Sequence, residues 1–274
     1  MGFFSYSQLR AQSLLVESPR SASLSSSATG FNSPELLSAN PANESADSLR
    51  PLRATLVYSP FVGGIADASI GAVEAVYYSD EVASSFGLGA ANLSYGDLYS
   101  DLSLSGSITR RFSLSDGRTA SAGIRTRYET ISSTTEYPAL HFLFFDLGFT
   151  LSLTREFDLG GAALNILGEK YILSGGQSEP LERSFIVAVA YHPENFPLKV
   201  FTSLHEIISA GLTISFGAEY EPVEFLALRL GTSTDTGNIT TGIGLRYASL
   251  SFDVSSRYER ALGSVFSFGA SGAW

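Results

Sequence analysis

The chain has 274 residues and no cysteine, which excludes a disulfide framework and a thiolate metal site. Charge is scarce as well: Asp, Glu, Lys and Arg make up 16% of the sequence, where a water-exposed surface carries about a quarter or more. The balance is acidic. A net charge of −10 leaves no basic patch to neutralise phosphates, so nucleic acid is excluded as a partner. Long apolar runs are also missing. Hydrophobic residues reach 44%, yet no run approaches the roughly 18 residues of a membrane helix, so a membrane span here requires a closed barrel.

Motifs of chemistry are missing too. There is no Gly-rich phosphate loop, no His-x-x-x-His pair and no clustered acidic loop for calcium. His141, His192 and His205 fall near expected strand ends, and serine is so common that some His–Ser proximity is unavoidable. A nucleophile needs a base and an orienting group within reach, and no spacing singles out such a set. The expectation is a non-enzymatic protein with no catalytic residue, no cofactor and no metal.

What is abundant is alternation. In the final stretch, Gly263 to Trp274, Phe266, Phe268, Ala270, Gly272 and Trp274 are two apart, with Ser267, Gly269, Ser271 and Ala273 between them. A strand has a side-chain period of two, so one face is apolar and the other small and polar. This ending resembles the closing strand of bacterial outer-membrane β-barrels. That resemblance implies that Phe266, Phe268 and Trp274 form a barrel-assembly signal read by the insertion machinery.

The same rhythm recurs in about fourteen segments from Ala54 onward, the signal of a barrel or a sandwich. They are residues 55–63, 66–78, 85–95, 101–113, 118–130, 141–157 and 159–168, then 183–191, 198–205, 210–220, 224–234, 238–247, 250–258 and 263–274. Every second spacer is short and turn-like: Asp116-Gly117, Asp158-Leu159-Gly160, Pro193 to Pro197 and Glu221-Pro222. The longer spacers, Ile131 to Leu140 and Glu169 to Glu182, have the opposite parity, as periplasmic turns and external loops do. Tyr58, Tyr77, Tyr78, Tyr95, Tyr128, Phe157, Tyr191, Tyr220, Tyr247 and Tyr258 sit near segment ends, where an interfacial girdle would use them. The fold expected is all-β: a closed antiparallel up-and-down transmembrane barrel in the outer membrane, in contact with lipid. A soluble β-sandwich binding module is the alternative that alternation leaves open.

Residues 1–13 contain no continuous apolar stretch, though Ala11-Gln12-Ser13 has the character of the tail of an export signal. Residues 14–53 are rich in Ser, Ala and Asn and poor in alternation, either a disordered leader or a plug for the lumen. Residues 54–274 are assigned to the barrel. Alternation places Arg125, Arg127, Glu129, Asp146, Glu219, Arg246, Asp253 and Arg257 on the inward face. Their mixed signs suit hydrogen-bonded packing around a plug better than a single-sign ion filter. Asn40, Pro41 and Asn43 are the plug residues expected to meet them.

The segment Pro19-Arg20-Ser21-Ala22-Ser23-Leu24, the element Asn40-Pro41-Ala42 and the ending Ala261 to Gly269 resemble the PorV/PorQ group of the FadL-like barrels. The resemblance implies fourteen strands and two candidate roles. The PorV/PorQ branch implies service in type IX secretion or surface attachment, with secretion-system components or secreted cargo as partners. The FadL branch implies passage of hydrophobic solutes through the barrel wall, past an N-terminal hatch. The chain departs from the first in having no long cargo-seizing loop and from the second in its compact length.

Overall fold

A computed structural model describes residues 16–28, 39–43, 46, 48–60, 68–96, 99–133, 139–168, 170–172, 178–208, 210–234, 239–259 and 263–274. Residues 1–13, the expected export remnant, lie outside the described residues.

Fourteen strands close into one antiparallel barrel. They are β1 (Leu52–Pro60), β2 (Ala68–Ser79), β3 (Ser84–Tyr95), β4 (Tyr99–Ser113), β5 (Thr119–Ser133), β6 (Leu140–Ser152) and β7 (Phe157–Leu164). A small hairpin, β8 (Lys170–Ile172) with β9 (Ser178–Pro180), stands outside the ring. The barrel resumes with β10 (Ser184–Tyr191), β11 (Leu198–Ile207), β12 (Gly211–Val223) and β13 (Leu226–Ser233). It ends with β14 (Ile239–Tyr247), β15 (Leu250–Glu259) and β16 (Gly263–Ala273). The sandwich alternative is thereby excluded. Among the described residues before the barrel are a helical turn, α1 (Pro19–Ser23), and a 3-10 turn at Pro41–Asn43. Ser18 caps α1, its hydroxyl accepting from the Ser21 N–H, and Pro19 supplies the fixed φ that a first helical position favours.

Each strand is built by its alternation. On β12, Leu212 and Phe216 face outward and are exposed, while Ser215 and Glu219 face inward and are buried. The pattern is inside-out for a protein in water. Leu56, Leu88 and Leu230 are 58%, 73% and 56% exposed, whereas Asp146 and Glu219 are 0% exposed. An exterior this apolar around a polar interior is favourable where the exterior faces hydrocarbon. Tyr58, Tyr95, Tyr128 and Tyr258 ring the wall near one end, and Tyr77, Tyr191, Tyr220, Tyr247 and Trp274 near the other, all exposed. Tyr78 does not join them: it packs inward on Val76 and Ala46, because a period of two puts it on the face opposite Tyr77.

Closure is made by β1 pairing with both β2 and β16. At the seam the Leu52 N–H donates to the Trp274 carbonyl (3.0 Å) and the Trp274 N–H to the Leu52 carbonyl (2.8 Å). The Trp274 indole lies back over Gly272, where an added Cβ would come within 2.6 Å of the ring. Phe266 and Phe268 face outward on the same strand.

Boundaries differ from expectation in three places. The barrel begins at Leu52, two residues before the assigned start. Asp158-Leu159-Gly160 is not a turn: β6 ends at Ser152, residues 153–156 turn, and the three residues are paired within β7. Glu221-Pro222 likewise lies inside β12, at a register shift between Tyr220 and Val223, and the turn follows at residues 224–225. Proline has no N–H to give a ladder, so it is tolerated there because the pairing is already interrupted. Asp116-Gly117 is the tight connection expected, with φ of 62° and 73° at successive positions, a left-handed pair that Asp and Gly tolerate.

Candidate functional site: the lined interior

Opposite charges are placed face to face by strand register, and this builds two ionic clusters inside the barrel. On β11–β13, Glu219 pairs across the ladder with Lys199 on one side and Arg229 on the other. The Arg229 Nε donates to Glu219 at 2.7 Å and its Nη1 to Asp253 on β15. Lys199 donates to Glu219 at 3.3 Å and to Glu221 at 3.1 Å, and Arg246 pairs with Glu221 at 3.0 Å. On β5–β6, Arg125 stands opposite Asp146 and donates from Nε and Nη2 at 3.1 and 3.0 Å. Arg127 bridges Asp146 (2.9 Å) and Glu129 (2.6 Å), and its guanidinium lies 4.8 Å over the Phe144 ring. Such multiply bonded charges are tolerated in burial because each carboxylate has several donors.

The N-terminal residues enter these clusters. Arg20, on α1, forks onto Glu219 through Nε and Nη2 at 2.8 and 2.7 Å, making it the third cation on that carboxylate. Glu17 pairs with Arg257 at 3.2 Å. Thr240 donates to the Ser23 carbonyl at 2.8 Å. Farther along, Asn40 Nδ2 donates to the Phe149 carbonyl (3.0 Å), Thr109 to the Pro41 carbonyl (2.7 Å) and Arg125 to the Ala39 carbonyl (3.2 Å). Asn40 Oδ1 also accepts from the Ala42 N–H, which shapes the Pro41–Asn43 turn. Asn43 is buried beside it.

Inward glycines make this approach possible. A Cβ on Gly123 would lie 2.5 Å from the Pro41 carbonyl oxygen, and one on Gly148 would lie 2.0 Å from Asn40 Oδ1. A Cβ on Gly231 would lie 2.5 Å from the Leu24 carbonyl carbon, and one on Gly242 2.4 Å from the Ser23 Cβ. Any larger residue at these positions would push the N-terminal residues off the wall.

The longest apolar stretch of the described inner wall spans three neighbouring strands, with a smaller patch of Val57, Ala72 and Ala91 on β1–β3. On β7, β10 and β11, Ala162, Leu164, Ile186, Ala188, Ala190 and Phe201 are buried and packed in two adjoining clusters. Leu24 and Ala28 cover one cluster and Ala39 the other. Toward the end that carries the β8–β9 hairpin, a third cluster gathers Phe142, Phe144 and Leu181 with Ile131 and Leu140. Among the described residues no group of three metal-ligating side chains occurs.

The inward residues picked out by alternation therefore fall into two groups: Arg125, Arg127, Glu129 and Asp146 meet on β5–β6, and Glu219 and Asp253 meet through Arg229. Arg246 joins the second by way of Glu221, while Arg257 stands apart with Glu17. Sequence reasoning missed Arg20, Lys199, Glu221 and Arg229. Arg229 was within reach, since Leu226, Leu228 and Leu230 alternate with Ala227, Arg229 and Gly231. The apolar stretch gave no sign of itself because strands apolar on both faces, at residues 159–168, 183–191 and 198–205, alternate only weakly.

No family model matches the chain, and no curated protein matches it in sequence. Solved structures do match in fold. The CymD monoaromatic hydrocarbon channel aligns with a TM-score of 0.67 at 12% identity, over 96% of this chain and 99% of that one. A Pseudomonas aeruginosa FadL homologue aligns at 0.61 and 13% identity, over 94% and 99%. The Pseudomonas putida toluene transporter TodX aligns at 0.55 and 14%, over 96% and 99%. The closed fourteen-strand antiparallel barrel is similar in fold to these FadL-like channels. At these identities the likeness is one of fold.

Proposed function

We propose that the chain is a non-enzymatic outer-membrane channel for apolar solutes, with the apolar stretch of β7, β10 and β11 as the track along which they move. The observation that carries this reading is the track itself: a row of alanines, Leu164, Ile186 and Phe201 running over three neighbouring strands, on a wall that otherwise turns mainly charge and hydroxyls inward apart from the small Val57–Ala72–Ala91 and Val76 patches of β1–β3. A conduit for ions or sugars has no use for such a surface, whereas an apolar solute gains about 25 cal/mol for each Å² of its surface removed from water. The Phe142–Phe144–Leu181 cluster supplies a first apolar station at the far mouth. The fold likeness to proteins described as a toluene transporter and a monoaromatic hydrocarbon channel supports the same class of solute. In this state Leu24, Ala28 and Ala39 lie on the track, so the N-terminal segment acts as its stopper.

The secretion role implied by the PorV/PorQ resemblance rests on short end motifs alone, and the channel reading is preferred to it. Vesicles containing the protein should take up toluene several times faster than empty vesicles and should take up a sugar of similar size no faster. Equal toluene rates in loaded and empty vesicles, with secreted proteins copurifying from cells, would reverse the preference.

A further inference from the structure

The N-terminal residues do more than cover the track. Followed from Pro19, they visit the barrel strands in roughly the reverse of chain order. Pro19 sits on Gly269 of β16, Glu17 and Ser23 bond β15 and β14, and Leu24 packs over Gly231 of β13. Arg20 holds β12, and Leu24 with Ala28 covers β11 and β10. Ala39 then lies on β7, Asn40 bonds β6, and the Ala39 and Pro41 carbonyls take bonds from β5 and β4. Ala46 reaches Ser85 of β3 and Val76 of β2. Val16, at the other end, packs on Val57, Ala72 and Ala91 of β1, β2 and β3, so the two ends of the path meet on the same side of the barrel. The described residues between Val16 and Ala46 thus touch the inner face of all fourteen strands.

The α1 seat and the Pro41–Asn43 seat lie on opposite sides of the ring. α1 contacts β13 to β16, and Pro41–Asn43 contacts β4 to β6, about halfway round the order of strands. Ladder hydrogen bonds tie a strand to its two neighbours, whereas this path ties strands that never pair. It does so with buried charge at one seat (Arg20 on Glu219) and backbone carbonyls at the other.

We propose that residues 16–28, 39–43 and 46 act as an internal hoop that sets the closure of the wall, an assembly function separate from that of stopper. It holds the circumference by fitting inward glycines on opposite sides, and it gives buried wall groups such as Arg125 and Thr240 partners that arrive from a single chain. A stopper needs to block only one passage. A hoop needs a seat on every strand, and that is the arrangement found.

The test uses the full chain. A protease site inserted between Leu49 and Arg50, both exposed, allows the hoop to be cut from the wall after folding. The cut hoop should stay with the barrel through gel filtration in mild detergent. If stripped with urea, it should leave a wall that unfolds at a lower temperature. A hoop that washes out freely and leaves the unfolding temperature unchanged overturns the proposal. In the uncut chain, Arg20→Ala, Leu24→Ala and Asn40→Ala combined leave every wall residue in place. This variant should lower the yield of heat-shifted folded barrel about tenfold. A wild-type yield accompanied by faster toluene uptake would mean a stopper only. Assembly is read without solute, so failure of the channel reading leaves this result unaffected.

Discussion

Glu219→Ala is expected to destabilise the folded barrel by about 3–5 kcal/mol, the usual result of removing one partner from a buried ionic cluster. The loss is large because three cations converge on this carboxylate. Arg20 and Arg229 donate to it at 2.7–2.8 Å and Lys199 at 3.3 Å, and Glu219 itself is fully buried. Arg229 would keep Asp253 and Lys199 would keep Glu221. Arg20 would lose its forked bond to the wall, so residues near α1 should become open to proteolysis. Urea unfolding in vesicles, read by the shift of the heat-modifiable band, measures the first effect, and limited trypsin digestion at Arg20 the second. Glu219→Gln keeps the shape and should recover part of the stability. If Glu219→Ala matched wild type in both assays, the cluster would be ornamental.

Asp146→Ala should cost a similar amount, about 3–5 kcal/mol, for a related reason. Its carboxylate is the point where Arg125 and Arg127 meet, and it also accepts from the Asn165 N–H at 3.0 Å. Without it, two buried guanidiniums lie side by side on the inner face of β5 with no shared carboxylate between them. Glu129 can hold Arg127, but Arg125 is left to carbonyls such as that of Ala39. Asn165 starts the connection that leaves β7 and has a left-handed φ of 53°, so its anchor matters for how that connection departs. The effect should therefore spread to the Phe142–Phe144–Leu181 cluster at the end of the same connection. Equilibrium unfolding checks the magnitude, and the double variant Arg125→Ala with Asp146→Ala should cost less than the sum of the two singles. Strict additivity would show that the two residues act independently.

Much of this fold could be read from the chain because the strand period is short and repeated. Leu102, Leu104 and Ile108 against Ser103, Ser105 and Ser107 announce a two-faced strand without any tertiary information. Fourteen such segments can satisfy their backbone groups in lipid only by closing, and β1 does pair with β16. The errors came where a local rule met a tertiary demand. Asp158-Leu159-Gly160 looks like a turn by composition, yet Gly160 and Gly161 are strand residues of a wall whose inner face is packed with small side chains. Faces that are apolar on both sides hide the alternation, so the strands of the proposed track were the ones that read weakly.

Among the charged residues, sequence could place Arg125, Arg127, Glu129 and Asp146 on one face but could not pair them, since pairing depends on register. Arg125 faces Asp146 only because β5 and β6 align Ile124 with Leu147 and Arg127 with Phe144. Arg20 was further out of reach. It lies 199 residues from Glu219, and no local pattern says which strand a small-residue segment will meet. The glycines were the one available sign, since Gly123, Gly148, Gly231 and Gly242 occupy inward positions where a barrel wall gains nothing from a missing side chain unless something lies against it.

The central claim is that apolar solutes travel along the inner face of β7, β10 and β11. A photoreactive arene supplied to the full-length protein in vesicles, followed by mass-spectrometric mapping of the labelled residues, tests it most directly. Labels should appear on Ile186, Ala188 and Phe201, with Leu24 among the modified N-terminal residues, and unreactive toluene should compete them away. Labels confined to outward residues such as Leu88 and Leu230, indifferent to toluene, would contradict the account.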